Sequence, residues 1–145
     1  NISLASLKKY MSGFVINDDK KKKNALDKGS QVGLKPNDPA FMTVSLSGGN
    51  AQKVILARWM STDAAVMIFD EPTKGIDIGA KADIYLLMEK MAQQGVAIIM
   101  VSSELTEVMG MSDRIIVMRD GMITGELEQE EFSEQNILNY TVEGN

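Results

Sequence analysis

Two apolar runs, AAVMIFD at 64–70 and VAIIMV at 96–101, bracket a segment of helical period, and this arrangement leaves few folds open. Each run has strand length and almost no polar residues, which predicts strands buried on both faces. Between them, AKADIYLLMEKMAQQ (80–94) sets Ile84, Leu87, Met88, Met91 and Ala92 at i, i+3, i+4, i+7 and i+8. That spacing predicts an amphipathic helix, stopped by Gly95. Strand, loop, helix and strand in this order build a parallel sheet with helices on its faces, so the expected class is α/β. In such sheets ligands bind beyond the carboxyl ends of the strands. Those ends carry Asp70-Glu71 and Ser102-Ser103.

The remaining segments fit around this unit. Residues 50–60 predict an apolar helix with Val54, Ile55, Ala57, Trp59 and Met60 inward. SELTEVMGM predicts a short helix with a serine N-cap and Gly110 at its end. RIIVMRDGMITGEL reads as a hairpin turning at Asp120-Gly121, and SEQNILNY as a helix starting at Ser133. Residues 1–43 are more polar. ASLKKYMSGF predicts a short helix ended by Gly13, and Asp18 to Lys28 an exposed helix stopped by Gly29. The Lys20–Lys23 run follows Asp18 and Asp19, which marks a solvated helix face rather than a polyanion site. KPNDP, with Pro36 and Pro39, is a loop.

Composition narrows the chemistry. The chain of 145 residues has a net charge of −5, which argues against a nucleic-acid partner. It has no cysteine, so neither a disulfide nor a thiolate metal site is available, as fits a cytosolic protein. It also has no histidine, which removes imidazole acid–base catalysis and any Ser-His-Asp triad. A general base must then be a carboxylate, a lysine or a tyrosine. No apolar run reaches membrane-spanning length and no signal-peptide pattern opens the chain. Of the 11 methionines, Met67, Met88, Met91 and Met100 fall in apolar runs and are expected to fill the core.

Two stretches can carry chemistry. In VMIFDE two carboxylates leave the end of a buried strand together. Asp70 at the strand tip suits Mg²⁺, held directly or through water, and Glu71 one residue further can polarise an attacking water. The same Asp70 could equally cap a neighbouring helix, with Glu71 solvated. In LSGGN, Ser47, Gly48 and Gly49 precede the helix at 50–60. A helix start offers unpaired N–H groups and about half a positive charge, and glycines let the backbone approach an anion without a Cβ in the way. A plain N-cap by Ser47 or Asn50 is the other reading. Neither GxxxxGK[ST] nor GxGxxG occurs, so a phosphate site here is half of one.

LSGGNAQKV, then VMIFDEPTKGID with Asp70 23 residues after Ser47, then an apolar strand ending in VSSE, resemble the ATP-binding subunits of ABC transporters. The likeness is clearest over residues 44–126. Together with DEPTKGIDIGAKADIY and VSSELTEVMGMSDRIIVMRDG it looks most like the C-terminal ATPase half of bacterial monosaccharide importers of the ribose, galactose or methylgalactoside, and xylose type. The resemblance implies a P-loop NTPase-like partial domain. Residues 1–43 would be the end of the helical subdomain, and 44–145 the C-terminal part of the ATPase core with its hairpin and last helix.

The resemblance also implies roles. Leu46, Ser47, Gly48, Gly49 and Asn50, with Gln52 beside them, would contact the γ-phosphate of ATP held by the opposite ATPase half. Asp70 would lie near Mg²⁺, Glu71 would be the general base, and Asp77 would be the aspartate of the loop that crosses the ATPase dimer. Ser103, or Ser102, stands where the family has a histidine that orients the attacking water, which leaves hydrolysis at this half's own site open. The phosphate loop with its lysine would lie N-terminal to this sequence, so the isolated chain is expected to bind Mg-ATP weakly or not at all. Implied partners are the N-terminal ATPase half of the same protein, transmembrane permease subunits and, indirectly, a periplasmic or extracellular sugar-binding protein. The implied location is the cytoplasmic face of the bacterial membrane. A non-transport ABC ATPase acting on nucleic acid or ribosomes, and a non-catalytic regulatory domain, are the competing readings.

Overall fold

A computed structural model of the chain describes residues 1–12 and 14–142. In chain order the elements are a 3-10 helix (Ile2–Tyr10), β1 (Met11–Ser12), β2 (Val15–Ile16), α1 (Asp18–Gln31), a 3-10 turn (Thr43–Ser45) and α2 (Gly48–Met60). Next come β3 (Val66–Asp70), α3 (Ile78–Gln93), β4 (Ala97–Val101), α4 (Leu105–Met111), β5 (Arg114–Arg119), β6 (Met122–Glu128), a 3-10 turn (Gln129–Glu131) and α5 (Glu134–Val142). The expected α/β class holds. Its sheet content, among the described residues, is three two-stranded pieces: β1 with β2, β3 with β4, and β5 with β6. Two compact units emerge, one of Asn1–Met67 and Thr73–Ile98, the other of Ile68–Pro72 with the chain from Ile99 onward.

The first unit is built on helices. α1 begins at Asn17, whose side chain accepts the N–H of Lys20 at 2.9 Å. It runs past Gly29, the predicted stop, which is buried within it. A Cβ on Gly29 would meet Oδ1 of Asn37 at 2.1 Å, so the residue is small to let the following loop close in. The helix ends instead at Gly33, in the left-handed region at φ 61°. There Leu34 N–H returns to Gly29 C=O at 2.8 Å and Gly33 N–H to Ser30 C=O at 3.0 Å, closing a Schellman motif. The N-terminal segment also departs from expectation. It is a 3-10 helix broken at Ser6 (φ −123°) and followed by the extended β1, while the predicted stop at Gly13 lies outside the described residues.

In α2, Val54, Leu56 and Ala57 are buried, whereas Ile55 and Trp59, expected inward, are exposed. The buried face of α2 is therefore rotated toward Leu56, and the apolar count alone does not give the direction of that face. α3 follows its pattern closely: Ile84, Leu87, Met88 and Met91 are buried, and only Ala92 lies exposed. It ends as expected at Gly95, with Val96 N–H returning to Met91 C=O at 3.1 Å. Lys53 of α2 pairs with Asp83 of α3 at 2.7 Å and donates to Gly33 C=O at 3.3 Å, joining both helices to the end of α1.

β3 and β4 correct a prediction. Ala97 N–H donates to Ala65 C=O at 2.9 Å at one end and Glu71 N–H to Val101 C=O at 2.8 Å at the other, so the strands run in the same direction. Only Phe69 is buried, while Val66, Ile68, Ile99 and Val101 are exposed. Burial on both faces needs a layer on each face and neighbours on each edge. A two-stranded sheet does not supply them. Met67 and Met100, expected in the core, are accordingly only half-buried.

The second unit has its own core of Ile115, Val117, Leu127 and Ile137, with Leu105, Val108, Met109 and Phe132 packed against it. β5 and β6 pair antiparallel, with Arg119 opposite Met122 across the predicted Asp120-Gly121 turn. Both turn residues have positive φ, 52° and 79°, as a two-residue hairpin of this twist requires. A bulge follows Val117, which next pairs with Gly125. α5 begins where expected, Ser133 Oγ accepting the N–H of Asn136 at 3.1 Å. α4 does not begin on a serine. Its N-cap is Glu104, and Gly110 lies inside the helix rather than ending it.

Candidate functional site

The predicted site residues fall into the two units. Leu46, Ser47, Gly48, Gly49, Asn50, Gln52 and Asp77 belong to the first, Asp70, Glu71 and Ser103 to the second.

In the first unit the chain before the glycines forms a 3-10 turn, Thr43–Ser45, that leaves Val44 exposed. It delivers Ser47 as the N-cap of α2. The alternative cap, Asn50, is what Ser47 caps: Ser47 Oγ accepts from the backbone N–H of Asn50 at 3.4 Å and from its Nδ2 at 3.1 Å. A serine oxygen has two lone pairs and one hydrogen. In both contacts Ser47 Oγ is the acceptor, which leaves its O–H available as a donor. Asn50 Oδ1 in turn accepts the N–H of Lys35 at 2.9 Å. Asn50 thus fixes the serine and ties α2 to the preceding loop, a contact the sequence does not signal.

The glycines differ. A Cβ on Gly48 would meet nothing within 4 Å, so the helix start is open to an incoming group there. A Cβ on Gly49 would press on Cβ of Ala80 at 3.1 Å, so Gly49 also lets the first turn of α3 pack against α2. The first two N–H groups of α2 have no acceptor within the helix, while Asn50 N–H goes to Ser47 Oγ and Ala51 N–H to Ser47 C=O at 2.8 Å. The open end therefore presents two N–H donors, one hydroxyl and the positive end of a 13-residue helix. Leu46 is half-buried, and Gln52 lies on the second turn of the helix, also half-buried. Asp77 is the N-cap of α3, its Oδ1 accepting Ala80 N–H at 2.9 Å. A cavity of about 550 Å³ in this unit is lined in part by Leu4, Leu7, Ile16, Leu34, Phe41 and Leu46.

In the second unit Asp70 ends β3 and is exposed. Glu71 follows with φ 47°, in the left-handed region that residues with a Cβ seldom occupy. Its N–H is held by Val101 C=O at the end of β4, so Glu71 turns out of the sheet while its backbone stays anchored to the next strand. The adjacent serines separate. Ser102 Oγ donates to the carboxylate of Glu107 and accepts the N–H of Glu104 at 3.1 Å, whereas Ser103 is exposed. Ser103 is thus the serine that is open to solvent at the predicted switch position. Glu107, a buried carboxylate in α4, was not anticipated, because nothing in its spacing distinguishes it from a solvated helix residue.

The donor set suits Mg²⁺ as one ligand among several. Among the described residues no group of three His, Cys, Asp or Glu side chains could hold a metal. Mg²⁺ is normally held by one or two carboxylates with phosphate oxygens and water, and Asp70 offers one such carboxylate.

Comparison with known proteins identifies the family of the chain. Residues 3–74 match the ABC transporter family. The chain is 49% identical over 138 residues to the arabinose import ATP-binding protein AraG of Mannheimia succiniciproducens, covering 95% of this chain and 27% of that protein. It is 42% identical over 144 residues to the ribose import ATP-binding protein RbsA of Halalkalibacterium halodurans, covering 99% of this chain and 29% of that protein. The chain therefore spans less than a third of the length of these relatives. Its fold matches a dimeric ATP-binding cassette solved in a post-hydrolysis state with ADP and Pi, at TM-score 0.75 and 23% identity, covering 90% of this chain and 56% of that one. By these likenesses the chain belongs to the ATP-binding component family of ABC transporters.

Proposed function

We propose that this chain is part of the second ATPase half of a monosaccharide importer and acts chiefly by completing the ATP site of the partner half. The observation that carries this is the open start of α2: unobstructed space at Gly48 and a Ser47 hydroxyl with its hydrogen free, in a sequence with no phosphate loop. Two N–H groups and a hydroxyl suit the terminal oxygens of a nucleotide held from the other side. Charge-assisted hydrogen bonds of this kind contribute about 1.5–3 kcal/mol each. Leu46, Ser47, Gly48, Gly49, Asn50 and Gln52 form this element, and Asp77 would face the partner half beside it.

The chain's own carboxylates support a second role. Asp70 would hold Mg²⁺, which when bound neutralises charge on the phosphates. Glu71 would accept a proton from the water attacking the γ-phosphate, giving ADP and phosphate. Ser103, in place of a histidine, would offer a hydroxyl to orient that water. The apolar cavity beside Leu4, Leu7 and Phe41 supports docking of residues 1–43 against a transmembrane permease subunit. Among the described residues no helix is long and apolar enough to cross a membrane, consistent with a peripheral subunit on the cytoplasmic face that reaches a sugar-binding protein only through the permease. The net charge of −5 favours this over action on nucleic acid.

Ser47→Arg in the full-length protein is the test. A guanidinium placed at the helix start fills the space at Gly48 and removes the hydroxyl. ATP turnover is expected to fall at least about tenfold, each 1.4 kcal/mol lost being a factor of ten. Near-normal turnover overturns the reading.

A further inference from the structure

Glu107 stands apart from the other acidic residues. It is only 5% exposed, and carboxylates are rarely buried unless partnered. One of its partners is the Ser102 hydroxyl, and the same oxygen accepts the Glu104 N–H at 3.1 Å, so Ser102 ties the turn between β4 and α4 to a buried carboxyl group. This turn is bounded by functional positions. Ser103 is the next residue after Ser102. Val101, the residue before, offers the carbonyl that accepts the Glu71 N–H at 2.8 Å. A single path therefore runs from the Glu107 carboxylate through Ser102 Oγ and one peptide to Val101 C=O, and from there to the backbone of Glu71.

Glu71 needs such an anchor. Its φ of 47° is strained for a residue with a side chain, and strained backbone persists only where surrounding contacts over-determine it. The Val101 carbonyl is one such contact, and it can serve only if the end of β4 is itself held. β4 ends at Val101 with exposed side chains, so packing does little there. The Ser102–Glu107 hydrogen bond supplies the restraint.

We propose that Glu107 is a positioning residue, which through Ser102 sets the geometry of both Glu71 and Ser103. This rests on the reading of Glu71 as the general base. Its energetic logic is that of a part-buried hydroxyl–carboxyl hydrogen bond, strengthened by a lowered local dielectric and fixed in direction. Catalysis is sensitive to such placement: a shift of about 1 Å at the reacting group can cost on the order of a hundredfold in rate.

The test uses the full-length protein with Ser102→Ala, Glu107→Ala, Glu107→Gln and Glu71→Gln, and two readouts. One is ATPase kinetics. The other is hydrogen exchange of the backbone over residues 68–74, which reports the Glu71 N–H bond without reference to activity. Ser102→Ala and Glu107→Ala are expected to lower kcat about tenfold or more with KM for ATP within about twofold, and to speed exchange at 68–74. Glu107→Gln keeps an acceptor for Ser102 and is expected to recover most of both effects. Should Glu107→Ala fail to fold, Ser102→Ala, which removes only one oxygen, carries the test. Unchanged exchange at 68–74 in Ser102→Ala overturns the proposal, as does equal damage from Glu107→Gln and Glu107→Ala. Faster exchange in Ser102→Ala combined with no effect of Glu71→Gln on kcat overturns instead the assignment of Glu71 as base.

Discussion

At the scale of single residues, the side chains around the start of α2 hold one another. Asn50 uses its amide nitrogen on Ser47 and its amide oxygen on the Lys35 backbone, which leaves the serine O–H available as a donor. The far end of the same helix is held by Lys9, which donates to Ser61 C=O at 2.8 Å and pairs with Asp63. The Lys9 ammonium holds the Asp63 carboxyl below its ordinary value, through the hydrogen bond first and the charge second. A depressed carboxyl pKa stabilises the fold above the ordinary aspartate value and loses that contribution as pH falls through the depressed one. The Asp63 side chain is mostly exposed, so screening keeps the effect small. Lys9→Met should return the Asp63 titration, followed by NMR, to the ordinary range, and should lower thermal stability at pH 7 more than at pH 3. An Asp63 titration identical in both proteins would contradict the pairing.

At the scale of elements, Gly49 and Gly125, like Gly29, serve packing rather than turning. Gly49 lets α3 approach α2, and Gly125 lets α5 lie on β6: a Cβ at Gly125 would meet the Tyr140 ring at 2.2 Å. Backbone and a ring cannot both yield there, so Gly125→Ala should lift α5 from the hairpin, at a cost of about 1–3 kcal/mol. The measurement is hydrogen exchange over 134–142 together with the melting temperature. Exchange there should speed up while α1 to α3 remain protected, and a protected α5 would show that Tyr140 simply swings aside. The helices and the hairpin were legible in the sequence because their periods and turn residues are local. Asp120-Gly121, Ser133 and Gly95 each act within a few residues. Gly29 misled for the complementary reason: its smallness answers Asn37, a neighbour brought by the loop, and not the helix in which it lies.

At the scale of the whole molecule, the exposed apolar side chains of β3 and β4 are the dominant feature. Val66, Ile68, Ile99 and Val101 lie open, and the β5–β6 hairpin adds Ile116, Met118, Met122 and Ile123. A short sheet with free edges and apolar faces is a template for association. The 145-residue chain expressed alone should therefore self-associate in a concentration-dependent manner and bind a hydrophobic dye. Sedimentation velocity between micromolar and tenfold lower concentration is the check, and a single monomeric species throughout would show that these faces are covered in solution. The same isolated chain should show no tight Mg-ATP binding by calorimetry, since α2 presents donors but no loop encloses the phosphates.

Chain periodicity and motif spacing were enough to establish the α/β class, the order of helices and strands from α2 onward, and that Ser47 to Gly49 open a helix while Asp70 and Glu71 leave the end of a strand. These depend on backbone preference and on residues near one another in sequence, where local physics decides. Three things were decided only by tertiary packing. Ser47, and not Asn50, became the cap, because the Lys35 backbone claims the Asn50 oxygen. The strands proved open rather than buried, because burial depends on layers that no single strand specifies. Glu107 became a partner of Ser102, because a carboxylate on a short helix gives no local sign of the hydroxyl that the preceding strand will bring to it.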